Sequence, residues 1–304
     1  MKDEKNNHHK LKKFIKIFTI LLFITLIIYL YARYIETKGL ITKEYKIVNE
    51  NFKYDFYGLK IIHLSDIHYG ETTNNKDLEN IVNEINLINP DIVVFTGDLY
   101  SKTLDNEQKQ ELINNLKNIK FKLGKYAVSG NCDDENFDEI IKEANFINLN
   151  NDYDIIYNSN NNNSILIAGI NTEDDISDSF EKINNYISNN DALENITEEN
   201  NKQNIIYKIL LLHKPDKILD FDYSKYDLIL AGHSHNGQIR LPIIGAIVTP
   251  DGAKKYYKEY YKLENTQFFI SSGIGTSDIK LRLFNKPSIN FYRFTNLRGV
   301  NNEK

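Results

Sequence analysis

The chain has 304 residues, 41% of them hydrophobic and 26% charged, with one cysteine and a formal net charge of −5. That length suits one large α/β domain or two small ones, and Cys132 alone excludes an internal disulfide framework. Of the 37 Lys/Arg and 42 Asp/Glu, residues 1–38 carry eight and three, so the other 266 residues hold 29 basic against 39 acidic side chains. A body that acidic has no general attraction for a phosphate backbone, and no nucleic-acid partner is expected.

From Ile17 to Ala32 no residue is charged, and Lys16 alone interrupts the apolar run back to Phe14. About 19 helical residues approach the ~30 Å hydrocarbon thickness of a bilayer. Tyr29, Tyr31 and Tyr34 close the run where interfacial aromatic side chains belong. Small residues for signal cleavage are scarce there, and no polar stripe marks a core helix. Six lysines precede the span, whereas only Arg33 and Lys38 closely follow it. The positive-inside rule then gives a cytoplasmic tail (1–13), a transmembrane anchor (14–33) and a body outside the cytoplasm.

Residues 34–57 read as a tether with an edge strand near Thr42–Asn49. Leu59–Leu64 is an apolar strand ending at Ser65-Asp66-Ile67-His68. Leu78, Ile81, Val82, Ile85 and Ile88 recur at helical spacing, and Pro90 closes that helix. Asp91–Thr96 is a second strand, ending at Gly97-Asp98. A polar helix over 105–118 leads to strand Lys125–Ser129, followed by Gly130-Asn131-Cys132-Asp133. Helix 135–144, with Asp133 and Asp134 as capping residues, precedes strands near 153–158 and 164–170. The acidic, Asn-rich stretch 171–204 reads as a helix plus a mobile insertion. Tyr207–Leu212 ends at His213, and the Leu228–Leu230 strand runs into Gly232-His233-Ser234-His235. Arg240–Thr249, Gln267–Ser271 and Ser288–Phe294 complete the strands, and 297–304 is a tail. Strands alternating with helices imply an α/β fold.

Five apolar strands thus end in residues of metal-ligand type: Asp66 with His68, then Asp98, Asn131, His213, and His233 with His235. Ligands of open α/β sheets sit at the carboxyl ends of strands. Seven such groups exceed one tetrahedral ion and suit two divalent metals sharing a carboxylate, a clamp for displacement at phosphorus. His63 lies three residues before Asp66, so strand parity points it away, into a packed core. Tyr256, Tyr257, Tyr260 and Tyr261 beside Lys254, Lys255 and Lys258 read as a half-buried surface rather than a membrane contact. Gln238 and Arg240 read equally as solvent-facing or substrate-facing.

These ordered motifs resemble those of the calcineurin-like metallophosphoesterases over nearly all of residues 58–296. Ser272–Ser277 and Arg282-Leu283-Phe284-Asn285 resemble the membrane-anchored bacterial branch. The resemblance implies a four-layer αββα sandwich with a dinuclear site at the sheet edges. It implies that Asp66, His68 and His235 hold one ion, that Asn131, His213 and His233 hold the other, and that Asp98 bridges them. Manganese, iron or zinc is the expected metal, and a metal-bound hydroxide the expected nucleophile. Where the family's commonest motif has a histidine after Gly-Asn, this chain has Cys132, and a thiol beside cations is expected to tend towards thiolate.

The expectation is therefore a metal-dependent phosphoester hydrolase, with Asp98, Asn131 and Cys132 at its catalytic centre. Location suggests a phosphodiesterase or pyrophosphatase with a lipid-linked or membrane-proximal substrate. A phosphomonoesterase and a non-catalytic metal-dependent binding protein are the alternatives. Nothing in the sequence specifies an oligomer.

Overall fold

The structure, a computed structural model, describes residues 2–49, 56–157, 163–174, 177–194, 204–277 and 279–296. The first helix, α1 (Lys2–Leu30), continues through a π-turn at Tyr31–Ile35. It is long and apolar enough to cross a membrane, and none of its apolar window is buried against the rest of the chain. Only its end touches the body: Ala32, Glu36 and Thr37 are buried. The segment read as a tether therefore holds packed residues, Glu36 and Thr37, near its start.

After β1 (Ile41–Val48) come β2 (Lys60–Leu64), α2 (Asn75–Ile88), β3 (Ile92–Thr96), α3 (Asn106–Lys117), β4 (Gly124–Val128), α4 (Phe137–Glu143) and the short β5 (Ile147–Asn148). The second half holds β6 (Asp152–Tyr157), β7 (Asn163–Ile170), α5 (Ser177–Glu194), β8 (Asn204–Leu212), β9 (Leu228–Ala231), β10 (Arg240–Leu241), β11 (Gly245–Ala246), β12 (Tyr260–Leu263), β13 (Thr266–Ile270) and β14 (Ser288–Thr295). One six-stranded sheet has the order β1-β14-β2-β3-β4-β5, and the other β12-β13-β9-β8-β7-β6. Within them β2, β3 and β4 run parallel, as do β8, β9 and β13.

Strand alternation explains the layers. Ile61, Val94, Tyr126 and Val128 face Ile167, Ile209, Leu211 and Leu230 in the core between the sheets. On the next parity, Ile62, Val93 and Phe95 pack under α2, α3 and α4. Leu210, Leu212 and Ile229 pack under Phe180, Ile183 and Ile187 of α5. Strands covered on both faces must be apolar at nearly every position, which is why they read as unbroken hydrophobic runs. The result is the expected four-layer αββα sandwich.

Asn74 and Asp105 close α2 and α3 with reciprocal capping boxes. The stretch 240–249 differs from expectation: it is a hairpin of two-residue strands, β10 and β11, with most of its apolar side chains in solvent. Of the insertion expected over 171–204, residues 177–194 are the helix α5, while 195–203 lie outside the described residues, as does the tail 297–304.

His63 is fully buried, with Nε2 2.8 Å from Thr96 Oγ1 and Nδ1 3.4 Å from Tyr292 Oη. It is the packed core histidine that parity predicts. Burial lowers its pKa from 6.5 to about 3. The unfolded chain therefore takes up this proton first, so the contribution to stability is full above pH 6.5 and is lost as pH falls towards 3. His63→Gln retains an amide for Thr96 and should lose less melting temperature than the wild type between pH 7 and about 4. An unchanged acid slope in thermal melts would count against this account.

Candidate metal centre

The parallel strands β2, β3 and β4 of one sheet and β8 and β9 of the other deliver their carboxyl ends to the same edge. Asp66, His68, Asp98, His213 and His235 are each at most 3% exposed there, and His233 is 9% exposed. Three overlapping groups form, each with ligand atoms within 4.8 Å of one another: Asp66, His68 and His235; His68, Asp98 and Cys132; and Asp98, His213 and His233. His213 Nε2 lies 3.3 Å and His68 Nε2 3.7 Å from the Asp98 carboxylate, and His235 Nε2 lies 3.4 Å from Asp66. Asn131 follows β4 on the same rim with its side chain exposed, its amide 3.5 Å from Cys132 Sγ.

The outer nitrogen of each imidazole is tied back to the protein. His213 Nδ1 donates to the Thr96 carbonyl (2.6 Å) and His233 Nε2 to the Asp251 carbonyl (2.6 Å). His68 Nδ1 bonds Ser101 Oγ, and the Arg282 guanidinium stands 3.3 Å from His235 Nδ1. Such outer partners fix ring orientation and tautomer in metal sites. His213 Nε2 is buried, aimed inward and without a hydrogen bond. A buried orphan of that kind, among carboxylates and inward-facing imidazoles, fits a divalent transition metal.

Backbone strain marks the same residues. Asp66, His68, Asp98, His233 and His235 all have positive φ, between 45° and 65°. Non-glycine residues adopt that region rarely and at a cost, and such outliers gather at functional sites. Two glycines make the convergence possible. A Cβ on Gly97 (φ 88°) would come within 2.7 Å of His213 Nδ1. One on Gly232 would collide with Ser65 Oγ and approach Asp66 Oδ2 to 2.7 Å.

The electrostatics follow from burial and crowding. Burial pushes Asp66 up to about 7, with the Asp98 charge adding to it. Burial acts the same way on Asp98, but the neighbouring His213 and His68 outweigh it and hold that carboxyl below its ordinary range. For His213, burial is overridden by Asp98, which raises the imidazole to about 9. Burial lowers His68, His233 and His235 and keeps them neutral, the form that binds metals. Among protein groups alone, burial and the Asp98 carboxylate push the half-buried Cys132 thiol up.

Several site-building residues have roles that the sequence does not specify. Asp133 is not a helix cap, since α4 starts after Asn136 with no side-chain cap. Its carboxylate accepts from the backbone N–H of Asp98 (2.9 Å), Leu99 (2.7 Å) and Gly130 (2.8 Å), clamping two ligand loops together. Asp134 accepts from Tyr100 Oη and the Asn136 N–H, again without capping α4. Arg282, fully buried, donates to the carbonyls of Gly273, Gly275 and Asn285, and Asn285 Nδ2 donates to the His235 carbonyl. Arg240 donates to Asn236, and Gln238 bonds Ile279 and Ser277, so both brace the rim. Asp216 accepts the N–H groups of Lys254, Lys255 and Tyr256, and Tyr256 is buried.

The family model described as calcineurin-like phosphoesterase matches residues 59–237. The chain belongs to the calcineurin-like phosphoesterase family. This member is 29% identical over 269 residues to the metallophosphoesterase YkuE of Bacillus subtilis (strain 168), covering 87% of this chain and 88% of that one. It is 28% identical over 249 residues to YkoQ of the same organism, covering 77% and 83%. It is also 28% identical over 243 residues to a transmembrane protein with a metallophosphoesterase domain from Danio rerio, spanning 76% of this chain and 52% of that protein. As a member of this family it is a metal-dependent phosphoesterase, a hydrolase that uses divalent metal ions.

If Asp133 is a clamp, Asp133→Asn, which offers one acceptor oxygen to three donors, should weaken Mn²⁺ binding roughly 10–100-fold in calorimetric titration. A helix cap would instead lower the melting temperature and leave metal affinity alone.

Proposed function

We propose that two divalent ions, manganese, iron or zinc, bind across this rim and that Asp98 bridges them. One ion would be held by Asp66, His68 and His235, the other by Asn131, His213 and His233. The observation that carries this reading is the sharing of Asp98: its carboxylate lies 3.3 Å from His213 and 3.7 Å from His68, which belong to the two different ligand groups. When bound, the ions supply Lewis acidity at phosphorus and an acidified water as nucleophile.

The protein's own part is orientation and charge. Asp98 receives the Cys132 N–H (2.8 Å) while facing His68 and His213. Asp66 receives the His233 N–H at 3.1 Å on each oxygen. Thr96, Ser101, Asp251 and Arg282 hold the four imidazoles from behind. The Asn131 side chain is exposed at the mouth, its Nδ2 3.5 Å from Cys132 Sγ. Asp98→Ala should reduce bound metal from two ions per chain to less than one and take hydrolysis of a chromogenic phosphodiester to background. Retention of two ions would overturn the bridge. Full-length protein that hydrolyses neither diester nor monoester with Mn²⁺ added would instead be a metal-dependent binding protein.

The substrate class follows from Cys132. A thiol in place of the family's usual imidazole is the weaker proton donor to a leaving alkoxide, which favours diesters and pyrophosphates whose leaving group is helped by metal. Cys132→His should raise kcat on a monoester more than on a diester. Equal changes on both would remove the argument. A membrane-proximal or lipid-linked phosphodiester fits the anchor, and its lysine-rich N-terminal side supports a catalytic body outside the cytoplasm. A reporter that functions only outside the cytoplasm, fused after Lys304, should be active; activity of a cytoplasm-only reporter would reverse the orientation.

A further inference from the structure

The hairpin after the His233–His235 stretch breaks the rule that surfaces are polar. Leu241-Pro242-Ile243-Ile244-Gly245-Ala246-Ile247-Val248-Thr249-Pro250 is ten residues without a charge. Ile243 is 107% exposed, Ile244 72%, Val248 67% and Ile247 54%. Contiguous exposed aliphatic side chains on a protein with a packed core mark an interaction surface. This one is no isolated tip.

Its roots are fixed to the metal centre and to the end of the anchor. Ala246 fills the space that a Cβ on Gly237 would need, and Asp251, just beyond the hairpin, holds His233. The Arg240 N–H donates to the Leu283 carbonyl (2.9 Å), and the Leu283 N–H to the Gln238 carbonyl (3.2 Å). The loop so paired exposes Phe284 (61%) and Ile279 (49%). Its Arg282 N–H in turn donates to the Ala32 carbonyl at the end of the anchor (3.0 Å), and the Asn285 N–H to Glu36 Oε1 (3.1 Å). Tyr34 and Ile35, exposed at 64% and 60%, complete the series. Hairpin, Phe284 loop and anchor end are therefore adjacent, hydrogen-bonded segments.

We infer that the hairpin 241–248, with Ile279 and Phe284, inserts into the outer part of the bilayer beside the anchor, as a second membrane contact. Continuity with the anchor selects lipid as the occupant. Aliphatic side chains partition into the acyl boundary much as the apolar face of an interfacial helix does. The two attachments fix the tilt of the body. Because the hairpin is rooted on Gly237 and His233, the metal centre sits close to the headgroup level. The site then takes phosphoesters whose apolar part stays in the membrane. This rests on the reading of the N-terminal helix as a span, and the experiment separates the two.

The chain contains no tryptophan, so a single introduced one reports alone. Full-length protein carrying Ile243→Trp, Phe284→Trp, Phe23→Trp (in the anchor) or Leu87→Trp (79% exposed at the end of α2) is reconstituted into phosphatidylcholine/phosphatidylglycerol vesicles, with or without brominated acyl chains. Blue-shifted emission and at least twofold quenching at positions 243, 284 and 23, with none at 87, is the expected result. Quenching at 23 but not at 243 would overturn the second contact and leave the anchor standing. No quenching at 23 would overturn both. A blue shift at 243 that brominated lipid does not quench and dilution abolishes would assign the hairpin to a second copy of the chain and overturn the inference. The double substitution Ile243→Asp, Ile244→Asp should slow hydrolysis of a vesicle-borne phosphodiester about tenfold and leave a soluble chromogenic diester unaffected; equal rates on both substrates would also count against it.

Discussion

Two buried carboxylates, Asp66 and Asp98, and the half-buried Asp133 meet at the edge where the two sheets converge, and the site is organised by the need to neutralise them. Desolvated like charges at such range cannot all ionise without partners. The protein divides the task. Asp133 is compensated by three backbone N–H groups, Asp66 by the His233 N–H, and Asp98 by His213 with the Cys132 N–H. The remaining deficit of positive charge is what divalent cations supply. Cys132, surrounded by carboxylates, adds no competing cation.

Holding those groups together strains the backbone. Five ligand-type residues lie in the left-handed region, at roughly 1 kcal/mol or more each, a sum comparable to the lower end of a domain's whole stability of about 5–15 kcal/mol. Local sequence does not choose this conformation. It is imposed by the surrounding layers, by Gly97 and Gly232 where side chains would collide, and by Arg282, whose guanidinium gathers three carbonyls beneath His235. Rigid strands supply the force and short loops store the strain. That division explains why ligands occupy the first residues after strands rather than loop tips.

The division also decides what could be read from sequence. Parallel strands covered on both faces leave unbroken apolar runs, so β2, β3, β4, β8 and β9 stand out, and whatever follows them must share one rim. Asp66, His68, Asp98, His213, His233 and His235 are legible for that reason. The roles of Asp133 and Arg282 are not, because their partners are backbone atoms of loops distant in the chain, and an aspartate before a helix resembles a cap; Arg282 stands out only through its family-like motif. The same apolar rule misleads at 240–249, where β-branched residues suggest a buried strand yet pair only as a short, exposed hairpin. Hydrophobicity reports that a segment avoids water, and does not say whether protein or lipid replaces it.

The anchor follows the same logic from the other direction. A helix that only tethered a soluble enzyme would end in exposed linker, but Glu36 is 4% exposed and accepts from both Tyr31 Oη (2.6 Å) and the Asn285 N–H (3.1 Å). Asn285 in turn holds the His235 carbonyl (2.6 Å). Two side chains therefore separate the end of the apolar helix from the candidate ligand His235. The end of the apolar helix is consequently joined to the rim by the same kind of buried hydrogen bonds that hold the imidazoles.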